Sequence, residues 1–462
     1  MERNDIKTIW RKGILKIMIE KEFTTLSVKK VFFNLAIPSV LSMIFASIYM
    51  IADGIFVGRF IGEHALAAVN LIMPIMLMIF ALSNMIAVGS SVKVSTALGE
   101  GKIEKARHLF SASVVIVIGL GFIVSFLALI FAKPLIFAII KDDLLAQMAY
   151  DYIRFFAMGL PFVMPLFAMD NFLRVCGKAK YSMWLNIIVS LLNIALDWLF
   201  IAEMGLGIEF SALSSVLSMF LGSVFAFIPF FTKKITLHFA KPKISVSEVI
   251  GICYNGSSEF FSSVAGAFIA TIVNGFLLHF GGALGVASYG IVMYIDTLLI
   301  SILYGIMDSI QPAVSYNVGA KEIKRTFDFF NISMITTGLI SAICMAGILL
   351  FPQSLAGIFA KDNNADIINL TVIALLLFAP SYLFTWFTMV TSAFLTAMDK
   401  PKESMIIMAF RAIIFPITCL LVLTSFMGVY GVFFTATLSG GLTFIVAFFI
   451  WVKTAKKLKA AL

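Results

Sequence analysis

The chain has 462 residues, 61% of them hydrophobic and 13% charged, with a formal net charge of +9 and a mean hydropathy of +1.03. Soluble proteins carry roughly twice that share of charge, about 25%, so a water-soluble or disordered chain is excluded, and the apolar surface calls for a lipid bilayer as solvent. The positive balance needs no nucleic acid, and none is expected as a partner. Cys176, Cys253, Cys344 and Cys419 are scattered without paired spacing and read as small packing residues, with neither disulfide nor metal.

In chain order, residues 1–30 come first. Ile6, Trp10, Ile14 and Ile17 or Met18 recur at helical spacing, with Lys7, Arg11, Lys12 and Lys16 between them. This reads as a cytoplasmic amphipathic segment lying in the membrane interface; a frayed basic tail fits as well. A continuous apolar core of the kind found in a cleavable signal peptide is missing here.

A spanning helix needs about 20 apolar residues. Windows of that size fall at about 35–58, 66–90, 109–131, 147–169, 181–202, 209–231, 249–278, 284–308, 328–350, 367–392, 404–425 and 430–452. The runs are continuous rather than alternating, which excludes a transmembrane barrel. The expected fold class is therefore an all-α polytopic membrane protein with twelve transmembrane helices. Basic residues collect before the first span and in every second connection, among them Lys102, Lys105 and Arg107, then Arg174, Lys178 and Lys180, then Lys321, Lys324 and Arg325. The positive-inside rule then places both termini in the cytoplasm, in a multi-pass protein of the inner (plasma) membrane.

The two halves repeat. "NLAIPSVLSMIFASIYMIADG" from Asn34 lies over "NGSSEFFSSVAGAFIATIVNG" from Asn255, pairing Asp53 with Asn274. "SVKVSTALGEGK" lies over "PAVSYNVGAK", and "FLRVCGKAK" from Phe172 lies over "FLTAMDKPK" from Phe394. The expected organisation is an N-lobe at 31–232, a cytoplasmic linker at 233–247, a C-lobe at 248–453 and a basic tail at 454–462. Two pseudo-symmetric six-helix lobes have an even helix number, so both insert with the same orientation, related by an axis along the membrane normal.

Polar residues gather at one depth. Asp53 lies about six residues inside Arg59, Asp197 about six inside Glu203, and Ser215 about six inside Glu209. At 1.5 Å per residue each sits roughly 9 Å below the outer surface. Asn193 precedes Asp197 by one turn on the same helix face. Intramembrane carboxylates cost several kcal/mol and are functional candidates by default. Two in one pocket can hold a proton or a small hard cation, and oxygen-only ligands suit the latter. Asn70 lies at similar depth as a weaker member. In the second half Glu259, Asp296 and Arg411 lie well inside spans, with Asp308 near an inner end, and Arg411 is read as the one cation deep in a helix. Arg154 and Asp151 read as interfacial.

The stretches "ADGIFVGRFIGEHALAAVNLIMPI", Gly99–Lys102, "LNIALDWLFI" and "IQPAVSYNVGA" make the chain resemble, over its whole length, the multidrug and toxic compound extrusion (MATE) family, in its bacterial multidrug-export branch. That resemblance implies an antiporter exporting small organic, often cationic, compounds against an inward flow of H⁺ or Na⁺, with no other cofactor. It implies an ion-coupling site at Asp53, Asn193, Asp197 and Ser215, where the family often has Thr at the last position. Asp53, Asn193 and Asp197 would then ligate Na⁺. It also implies a helix bend at Pro38 and a coupling or substrate role for Glu259, with Asp296 and Arg411 as further candidates. Phe210 departs from the small residue usual there. The alternatives are a lipid-linked saccharide flippase of the same superfamily, or a membrane protein without transport function. No HExxH, GxSxG or P-loop appears, so neither an enzyme nor an ATP-driven pump is expected, and nothing marks an obligatory protein partner.

Overall fold

The computed structural model describes residues 23–232, 235–359 and 365–459. Most of the N-terminal amphipathic segment (1–22) and the end of the basic tail (460–462) lie outside these residues.

Among the described residues, eleven helices are long and apolar enough to cross a membrane. One of them, Val246–Gly319, has 74 residues. At 1.5 Å per residue it would run about 110 Å, against a hydrocarbon core of about 30 Å. It breaks at Gly282, whose φ of 59° and ψ of −157° no helix accommodates and which glycine alone adopts readily. Two spans result, and the total is twelve. We number them α1 (Val28–Ile61), α2 (Glu63–Gly99), α3 (Ile103–Ile139), α4 (Asp143–Val175), α5 (Ala179–Glu203), α6 (Ile208–Phe231), α7 (246–281), α8 (283–319), α9 (Ile323–Leu350), α10 (Ala365–Ala397), α11 (Pro401–Met427) and α12 (Val429–Leu458). Most extend beyond the apolar windows, because the polar ends of a span continue as helix into the interface.

The repeat is visible in backbone geometry. Gly101 and Gly177 take left-handed φ values of 76° and 69°, and their repeat partners Lys321 and Asp399 do the same at 59° and 57°. The closing hydrogen bonds match as well. Lys102 N donates to Ala97 O at 2.9 Å and Glu322 N to Asn317 O at 2.8 Å; Lys178 N donates to Leu173 O and Lys400 N to Leu395 O. The fold is duplicated although the residues are not.

The lobes α1–α6 and α7–α12 meet closely at the end of the bundle that bears the basic connections. A Cβ added at Gly89 would lie 2.0 Å from the Ile252 carbonyl oxygen, and one at Gly256 1.9 Å from that of Met85. The same holds for Gly99 against Tyr316 and Gly319 against Thr96. Backbone touches backbone there, as small residues permit between helices in lipid. Ser95 Oγ also donates to Pro312 O at 2.7 Å, and Lys93 Nζ pairs with Asp399 Oδ2 at 2.5 Å. The described part of the linker is strapped along the start of α3: Arg107 Nε donates to Thr236 O at 3.0 Å, and Ala240 N to Ser111 Oγ at 2.9 Å.

Candidate functional site

Helices α1, α5 and α6 converge on two buried carboxyls. Asp53 on α1 accepts a hydrogen bond from Ser211 Oγ at 2.7 Å. Asp197, fully buried on α5, accepts one from Ser214 Oγ. The two carboxyls are near enough to act on each other electrostatically. The Asn193 amide satisfies its neighbours when its nitrogen donates to Asp197 Oδ2 (3.3 Å) and its oxygen accepts from Ser215 Oγ (3.1 Å) and Ser215 N (3.3 Å). Ser211, Ser214 and Ser215 are spaced i, i+3 and i+4, which puts all three on one face of α6. Tyr49, one turn before Asp53, stands close enough to that acid to feel its charge, and Tyr152 from α4 stands close enough to feel both.

Local backbone departs from α geometry beside each acid. A π-helical turn, Val57–Ile61, follows Asp53, and another, Trp198–Glu203, follows Asp197. Each ends near a glycine with positive φ, Gly62 and Gly205, so the chain can leave the wider turn at once. A π turn adds a residue to one turn of helix, and such turns recur at functional sites. A third among the described residues, Phe410–Ile414, carries Arg411. There Pro416 lacks an N–H and would crowd the carbonyl four residues earlier, which favours the wider turn.

Two cavities of about 350 Å³ lie one in each lobe. The first runs from Tyr49 and Asp53 past Met73, Phe80 and Phe156 to Asp170 and Arg174. Beside it, between Tyr49, Asn193, Ser215 and Ser218, is a niche of about 10 Å³, room for about one water-sized particle. Methionine and aromatic walls give an adaptable apolar surface, with Asp53 toward one end and Asp170 toward the other. The second cavity is lined by Asp296 and Arg411 among aromatic and hydroxyl groups, and Tyr382 donates to Asp296 Oδ1 at 3.1 Å. Glu259, on α7, stands near Arg411 without lining this cavity.

Asp53, Asn193, Asp197 and Ser215 are thus brought together. Asn70 and Asn274 are exposed and lie outside both sets. α1 runs through Pro38 as continuous helix, and Ser42 Oγ donates to the Pro38 carbonyl at 3.0 Å. Arg154 is exposed, and Asp151 accepts from Gln147 near the start of α4. Phe210 packs edge-on against Phe200, with ring centroids 5.9 Å apart, so the larger residue finds a place in the turn between α5 and α6.

A family model described as MatE matches residues 38–199 and 260–422, once in each half and in the register of the internal repeat. The chain belongs to the MatE family. Multidrug export protein MepA of Staphylococcus aureus (strain MSSA476) is 26% identical over 434 residues, covering 91% of this chain and 93% of that protein. Among solved structures, MATE in complex with MaL6 superimposes with a TM-score of 0.91 at 23% identity, covering 95% of this chain and 99% of that one. The outward-facing conformation of a multidrug resistance MATE family transporter of the MOP superfamily gives 0.90 at 23% identity, covering 95% and 98%. At that identity the structures show the fold: two lobes of six helices. Membership of the MatE family makes this chain a multi-pass membrane transporter rather than an enzyme.

The sequence pattern of this MatE chain does not mark Ser211, Ser214, Tyr49 or Tyr152, and it misplaces Arg174. That residue reads as part of a basic connection, yet α4 continues to Val175 and Arg174 is 3% exposed. It pairs with Asp170 one turn earlier and reaches Asp308 on α8 at 3.5 Å. Asp170 also accepts from Ser182 Oγ and, at 2.9 Å, from Asn186 Nδ2. Arg411 is therefore not the single cation enclosed within the helices. The i, i+4 spacing of Asp170 and Arg174 was the available signal.

Proposed function

We propose that this MatE transporter is a secondary antiporter that exports organic, often cationic, compounds across the plasma membrane in exchange for inward H⁺ or Na⁺. The observation that carries the reading is the buried pair Asp53 and Asp197, bonded by Ser211 and Ser214 of α6 and by the Asn193 amide of α5, which Ser215 holds in turn. Two facing carboxyls in a low-dielectric site repel unless a proton or a cation lies between them. The oxygen-only donor set, with Asn193 and Ser215 around a water-sized niche, suits either. The adjoining N-lobe cavity offers an apolar, methionine-rich wall for the organic ligand with Asp53 at its edge. Ion and drug therefore compete for one carboxyl.

Exchange follows if each ligand stabilises a different arrangement of the lobes, since a ligand shifts an equilibrium only by its differential affinity. The lobes are sealed at the basic end, which the positive-inside rule assigns to the cytoplasm, and α1 carries both Asp53 and the proline whose missing backbone bond would ease a bend. The relatives named as multidrug export proteins support the direction of transport. Replacing Asp53 by Asn keeps size and hydrogen bonding while removing the charge. Dye efflux from cells expressing D53N should fall to the level of cells without the transporter at equal membrane abundance; efflux equal to that of the unmodified protein would sink the proposal.

A further inference from the structure

The C-lobe cavity differs from its N-lobe counterpart in one respect: it contains a guanidinium without a carboxylate partner. Among the described residues, Arg411 makes no ion pair within 4.0 Å, and its one recorded polar contact is with Met408 Sδ at 3.9 Å, a weak acceptor. A guanidinium carries five N–H donors in a fixed fork that matches carboxylate and phosphate oxygens. Arg174, buried in the N-lobe, spends its charge on Asp170 and Asp308. Arg411 lines a cavity of about 350 Å³, within the size range of drug-sized ligands.

The acids near Arg411 are Glu259 and Asp296, both close enough to interact with it electrostatically but not paired with it. Asp296 lines the same cavity, oriented by the Tyr382 hydroxyl at 3.1 Å. A purely anionic ligand would meet repulsion from these acids, and a purely cationic one would meet Arg411. A molecule that carries both charges satisfies both walls, its anionic arm on the guanidinium and its cationic arm toward Asp296. We propose that this cavity is a subsite for zwitterionic organic compounds bearing a carboxylate, with Arg411 as the residue that selects for the anionic group. The inference rests on the transport reading given above and extends it to the second lobe.

A matched pair tests it: an amine-containing aromatic carboxylic acid and its methyl ester, which differ in the anionic group. Transport of both into inside-out vesicles is measured, together with their binding to purified protein in detergent, so that the subsite is read even where transport is absent. The unmodified protein should favour the acid over the ester. In R411Q the ratio should collapse by about tenfold, the worth of roughly 1.4 kcal/mol, and R411K, which keeps the charge without the fork, should retain part of it. An unchanged ratio in R411Q overturns the proposal. So does an equal loss of acid and ester in both variants, which would mark Arg411 as structural. Failure of the antiport reading looks different: acid still binds better than ester in the unmodified protein, while neither is moved by an ion gradient.

Discussion

Arg174 on α4 pairs with Asp170 on its own helix and reaches Asp308 on α8 at 3.5 Å, so one buried guanidinium ties the two lobes together. Removing one partner of a buried pair leaves an uncompensated charge, which costs about 3–5 kcal/mol. R174Q should therefore lower thermal stability in detergent markedly. The double variant R174Q/D308N should recover part of the loss, because one of the two stranded carboxylates is then neutral.

The second inter-lobe pair should behave differently. Lys93 and Asp399 lie 2.5 Å apart, but their side chains are 31% and 39% exposed. Exposed pairs contribute about 0–1 kcal/mol. K93A should change the melting temperature little, and its effect should shrink further in high salt. A loss equal to that of R174Q would show that burial is not what separates the two.

Close backbone contact at the basic end predicts a steric series. G89A and G256A each place a methyl group about where a neighbouring carbonyl oxygen now sits. The lobes must part there, so a cysteine probe placed at that end should become more reactive to a water-soluble maleimide. G266A, where a Cβ meets nothing within 4 Å, should leave the labelling rate unchanged.

The serines of α6 predict graded coupling. Hydrogen bonds to charged groups contribute about 1.5–3 kcal/mol. S211A removes the donor to Asp53 and S214A the donor to Asp197. Each should shift the coupling-ion concentration for half-maximal efflux by at least tenfold. D53N and D197N should abolish the dependence altogether.

Much of this was legible in the sequence, for physical reasons that differ by residue. Asp53 and Asp197 stand out because a carboxylate in an apolar run has no cheap alternative explanation. The twelve-helix count was legible because each span must be about as long as the bilayer is thick, and Gly282 falls between two such windows. Ser211 and Ser214 were hidden because a membrane serine usually bonds back to its own helix. Ser214 in fact does both, donating to Phe210 O at 3.0 Å as well. Arg174 was hidden because a basic residue at the end of an apolar window looks like a connection, and only the extra turns of α4 bring it inside. Asn70 was misplaced for the opposite reason: depth along a helix says nothing about the side on which a residue falls.

The central claim is that Asp53 couples an inward ion gradient to outward drug movement. Its most direct test is uptake of a fluorescent cationic dye by inside-out vesicles, with a lumen-acidic pH gradient and a lumen-high Na⁺ gradient imposed separately. At least one gradient should drive dye into the lumen in the unmodified protein, and neither should do so in D53N. Uptake that ignores both gradients, or that persists in D53N, would contradict the account.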